Sequence, residues 1–110
     1  MLAALLVLTA CSKGPEADLQ YIKQARSLAA EWATINEQSA KRQLTDIYAA
    51  TMHQWIRRQL ESASQSLTEP HSAYAAEIDA LLDLPDDAPP TALHAYGERL
   101  KQFETSLESA

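Results

Sequence analysis

Three histidines, His53, His71 and His94, come first among the residues that could do chemistry in this chain. Imidazole titrates near neutral pH and is a common metal ligand. A structural zinc site draws four nitrogen or sulfur ligands, often from close sequence pairs. No two of these histidines share a helical turn, so solvated side chains are the expected reading. His53 is the most informative, because it falls at the edge of an apolar stripe. Asp83, Asp86 and Asp87 resemble a calcium loop only in being acidic; the EF-hand spacing, its central glycine and its terminal glutamate are missing. Serines are plentiful, but there is no Gly-x-Ser-x-Gly elbow and no glycine-rich phosphate loop. The chain is therefore expected to hold no metal and no cofactor, and not to be an enzyme.

The thiol is different. Cys11 is the single cysteine, and it stands directly behind an apolar, uncharged leader, Met1 to Ala10. The run from Leu2 to Leu8 is far short of the ~20 residues that span a bilayer, and has the length of a signal-peptide apolar region. Ser12, Lys13, Gly14 and Pro15 end it abruptly. No Lys or Arg precedes the run, which points to an upstream start or a weak leader.

Leu8-Thr9-Ala10-Cys11 resembles the lipobox of bacterial lipoproteins. The resemblance covers those residues and the leader, and implies nothing about the fold of the body. It implies cleavage before Cys11, a diacylglycerol on its thiol, and in many species a further acyl chain on the new amino terminus. Each buried methylene then contributes ~0.8 kcal/mol, and two or more chains give lasting attachment. Ser12 follows the cysteine where Asp would favour inner-membrane retention in enterobacteria, so the resemblance implies the outer membrane, facing the periplasm. The expected division is residues 1–10 as signal peptide, 11–15 as lipidated cysteine and tether, and 16–110 as one helical domain.

The body reads as all-α. From Cys11 onward there is no Val, five isolated Ile and 17 Ala, with Leu, Gln, Glu, Lys and Arg making up much of the rest. Such residues propagate helices at little entropic cost, whereas strands want β-branched and aromatic side chains. Tyr21, Ala25, Leu28, Trp32 and Ile35, widened by Ile22 and Ala29, predict a first helix over 16–40. Ala49, His53, Ile56, Leu60, Ala63 and Leu67, broadened by Met52 and Trp55, predict a second over 45–67. Between them Lys41 to Leu44 should turn, since one helix continuing to Leu67 would be about 80 Å long, more than a single domain can bury. A third helix is expected over 70–83 with Thr68 as its cap, and a fourth over 91–108 along Leu93, Tyr96, Leu100, Phe103 and Leu107. Leu84 to Pro90 holds three prolines and should be a stiff acidic loop. An antiparallel bundle of about four helices follows, a long hairpin plus two shorter helices.

Net charge is −6, but residues 12–68 carry +1 and residues 69–110 carry −7. The acidic half disfavours nucleic acid and anionic lipid as partners. Arg57, one turn from Glu61, reads as part of an exposed face. Trp32 and Trp55 suit either the core or a hydrophobic groove between the helices. Gly97 marks either a close approach of helix 1 at Ala25 and Ala29 or a tolerated surface glycine. The functional expectation is a lipid-anchored module that binds another envelope protein. Its alternatives are a carrier of a small hydrophobic ligand, and a stress or entry-exclusion type lipoprotein.

Overall fold

The computed structural model describes residues 14–109, so the leader, Cys11 and the start of the tether lie outside the described residues. Helix α1 runs Pro15–Ala40. Proline suits its first position, where the missing N–H has no partner to lose. Gly14 ahead of it takes φ 99°, a conformation open to glycine. The predicted stripe is buried: Ile22, Ala25, Ala29 and Trp32 are wholly inaccessible.

The turn after α1 is real, and it carries no glycine. Arg42 occupies the left-handed region at φ 57°. Its N–H bonds to Ser39 O at 3.0 Å, and that of Gln43 to Gln38 O at 2.9 Å, the two bonds of a Schellman motif. Glycine is the usual occupant of that position, which explains why no turn residue marks it in the sequence. Helix α2, Asp46–Ser66, then starts from Thr45, whose hydroxyl accepts from the Tyr48 N–H at 3.1 Å.

Helix α3, Ala73–Leu82, begins three residues later than expected, and Thr68 is not its cap. Ser72 takes that role, accepting from the Ala75 N–H. Thr68 is turned to α1 instead: its N–H bonds to Asp18 Oδ1 at 2.7 Å and its hydroxyl donates to Gly14 O at 2.8 Å. Helix α4 spans Pro90–Ser109.

The four helices alternate in direction. Asn36 meets His53, Ser64 meets Asp79, and Tyr74 meets Phe103, so each helix runs opposite to the one before it. α1 packs on both α2 and α4 and meets α3 more lightly, α3 packs on the same two, and α2 and α4 stand diagonally opposite each other. This is an up-down-up-down four-helix bundle. Along the α1–α4 seam Lys23 pairs with Glu108 at 3.2 Å and Arg26 with Glu104 at 2.7 Å, so α1 neutralises part of the acidic C-terminal half.

Gly97 does not mark a close approach. A Cβ there would meet no atom within 4 Å. It lines a shallow groove beside Arg26 and Lys101, while Ala25 and Ala29 are buried without it. Gly97→Ala should therefore stabilise the bundle by up to ~1 kcal/mol, because helical alanine loses less backbone entropy. Urea unfolding checks this: a raised midpoint at unchanged slope is expected, and a lowered one would mean an unseen contact.

Candidate functional site

Two side chains of α1, Trp32 and Asn36, stand one turn apart, and two of α2, His53 and Arg57, do the same. The antiparallel pairing brings these couples face to face, and residues 86–88 of the acidic loop cross over them. Trp32 Nε1–H donates to Asp86 O at 2.8 Å. Asn36 spends its amide hydrogens on Asp86 O at 3.0 Å and Ala88 O at 2.8 Å. Its Oδ1 must then accept, and it lies 2.7 Å from His53 Nε2, so that nitrogen carries a hydrogen. In the neutral ring the lone pair sits on Nδ1.

Arg57 was expected on a solvated face with Glu61, and the structure corrects this. Its Nε bonds to Asp86 Oδ1 at 2.7 Å and its Nη1 to Leu82 O at 2.7 Å, while Nη2 reaches Leu84 O. The guanidinium also lies 5.1 Å from the Trp32 ring centroid. One cation thus caps the carboxyl end of α3, holds the loop, and stacks on the buried indole. A pairing this specific is invisible at the level of helix spacing, because its partners lie far along the chain.

Beside this network a cleft of about 460 Å³ opens between the α1–α2 turn and the loop into α4. Asn36, His53, Asp46, Asp86 and Asp87 contribute its polar lining, and small residues such as Ala49, Ala50 and Ala88 leave the space.

A second polar cluster lies at the opposite end of α1. Asp18 is wholly buried. Its carboxylate accepts from the backbone N–H groups of Thr68 and Glu69, at 2.7 and 3.1 Å, and from the Tyr74 hydroxyl at 2.6 Å. Burial, and then the bond to Asp18, push the Tyr74 hydroxyl up to about 12. A carboxylate in the first turn of a helix ordinarily complements its positive end from solvent; Asp18 is instead buried and serves the α2–α3 connection.

The outer face of α2 is the third feature. Trp32 is fully buried, but Trp55 is 38% exposed, so the two tryptophans do not share a core. Tyr48 at 48% and Ile47 at 82% extend the exposed surface to the N-terminus of α2. No other large apolar side chain is exposed among the described residues.

The remaining histidines are dispersed. His94 faces Glu37 at 3.1 Å, and His71 lies exposed in the α2–α3 connection. No group of three His, Cys, Asp or Glu side chains gathers around a metal-sized point among the described residues. None of the described helices is long and apolar enough to cross a membrane. Cys11, the expected lipidation site, lies outside the described residues. The chain is thus an all-α, four-helix bundle protein, with a cleft beside the Trp32–Asn36–His53–Arg57 network and an exposed aromatic face on α2 among the described residues. No protein-family model, curated protein or solved structure matches it.

Proposed function

We propose that this chain is a lipoprotein of the bacterial envelope, anchored through Cys11 in the outer membrane, whose α2 face docks onto another envelope protein. The observation that carries the docking is the exposed Ile47, Tyr48 and Trp55 on one helix. Trp and Tyr supply large contact area at low entropic cost and dominate protein-binding hot spots. Position supports the same reading. The tether joins α1 at Pro15, whereas Ile47 and Tyr48 sit beyond the far end of α1, a 26-residue helix about 39 Å long. An anchor at one end and a sticky face at the other suit a module that reaches away from its membrane toward a protein.

Expression in a bacterium with two membranes tests both parts. The parent should take up labelled fatty acid, and Cys11→Ser should remain an unlabelled precursor. A photo-crosslinker at Trp55 should trap one envelope protein that a crosslinker at Glu98 does not. That protein, purified, should bind the parent but not the Tyr48→Ser, Trp55→Ser variant, whose helical circular dichroism should be unchanged because both sites are exposed. Labelling of Cys11→Ser refutes the anchor. Equal binding by the face variant, or use of this face for lipid vesicles or a second copy of the chain, refutes the docking.

A further inference from the structure

We propose that the protein seated on α2 meets it through an acidic segment, because the aromatic face lies in the basic stretch of an acidic chain. The inference rests on the docking reading and adds the chemistry of the occupant.

The charge is local. Residues 41–62 hold four Lys and Arg against two Asp and Glu, whereas residues 12–40 hold three against four. Acids outnumber bases fifteen to nine in the whole chain, so a base left without a carboxylate is the exception. Lys23, Arg26, Arg57 and Arg99 each pair with one. Among the described residues Lys41, Arg42 and Arg58 form no ion pair; the same holds for Lys101, away on α4.

Three of those four bases frame the aromatic face. Ile47, Thr51, Gln54 and Arg58 succeed one another at helical spacing, and Tyr48 and Trp55, seven residues apart, run beside them. All six are exposed. Arg58 follows Trp55 by one turn, and Lys41 and Arg42 sit in the turn ahead of Ile47. Of the two acids in the stretch, Asp46 lines the cleft with Ala50 and His53, on another side of α2, and Glu61 comes only after Arg58. Arg42 shares a neighbouring hollow with Asp46, so Lys41 and Arg58 are the charges left open.

Trp, Tyr and Arg are the residues that dominate protein-binding hot spots. A guanidinium takes a carboxylate through two parallel hydrogen bonds. Nucleic acid and anionic lipid are negative too, but they would overhang α2 and meet the acids of α3, where Asp79 already touches Ser64 of α2. A short segment confined to α2, about 32 Å long, feels chiefly the charges within roughly 8 Å of it.

The test uses the full chain in a bacterium with two membranes, with a photo-crosslinker in place of Gln54 and with Tyr48 and Trp55 intact. Mass spectrometry of the crosslinked peptide should show more Asp and Glu than Lys and Arg in the captured protein's segment. That protein, purified, should bind Arg58→Glu about tenfold more weakly than the parent. Lys101→Glu removes the same charge from α4 and should bind as the parent does. A neutral or basic crosslinked segment overturns the proposal while the docking reading stands. So does equal affinity for parent and Arg58→Glu in a protein that the Tyr48→Ser, Trp55→Ser variant no longer binds. Equal weakening by Arg58→Glu and Lys101→Glu overturns it as diffuse attraction. If no protein is captured, or if anionic vesicles, RNA or a second copy of the chain cover the face, the docking reading fails and this proposal with it.

Discussion

Asp18→Ala should destabilise the bundle by about 3 kcal/mol, because it strands two backbone N–H groups and the Tyr74 hydroxyl. A domain of this size is stable by about 5–15 kcal/mol, so the loss is large. Urea unfolding at pH 7 checks the size. A cost below about 1 kcal/mol would show that water takes the place of the carboxylate. Alkaline titration checks the cause. The Tyr74 hydroxyl is raised to about 12 in the folded state from its ordinary 10.0, so the folded bundle favours the protonated phenol. That contribution is whole below pH 10 and is lost as pH rises through 12. Two units correspond to about 3 kcal/mol once titration is complete. Burial is the larger cause and persists in Asp18→Ala, so the variant should show a shallower alkaline loss than the parent.

Trp32→Ala should cost more, about 4 kcal/mol, as the largest wholly buried side chain leaves a cavity at the middle of α1. The effect should exceed packing alone. The indole N–H leaves Asp86 O and the guanidinium of Arg57 loses its ring. A double-mutant cycle between Trp32→Phe and Arg57→Met should return a coupling of about 1 kcal/mol. Additive costs would mean that the stacked geometry carries no energy.

Much of the architecture was legible because helix periodicity needs no long-range information. Ile22, Ala25, Ala29 and Trp32 announce the buried side of α1 through spacing alone. The boundaries that failed were set by distant partners. Helix α3 starts late because Asp18, on another helix, takes the N–H groups of Thr68 and Glu69. A signal for the polar clusters was nonetheless present. Asp18 and Asn36 extend the buried stripe of α1 in step, at 18, 22, 25, 29, 32 and 36, so a polar residue sits at each end of an apolar row. Read as stripe positions, both would have been expected to turn inward and to need partners. Arg57 had no such mark, since its partners become neighbours only after α3 and the loop have folded back. Trp55 misled for the opposite reason: tryptophan is usually core, and one position around the helix exposed it.

Helix α3 has a consequence of its own. At ten residues it is shorter than a helix that holds itself together in water. What keeps it is the burial of Tyr74, Ala75, Ile78 and Leu81 in the core, with a fastening at each end: Asp18 grips the connection before it, and Arg57 grips the carbonyls of Leu82 and Leu84 at its close. Neither fastening belongs to the α1–α4 seam. The bundle therefore divides by dynamics where it does not divide by domain. α1 and α4, the most extensively packed pair, should be the last to open, and α3, the shortest helix, the first. Its amides should exchange with solvent as one group, ahead of those in the middle of α1.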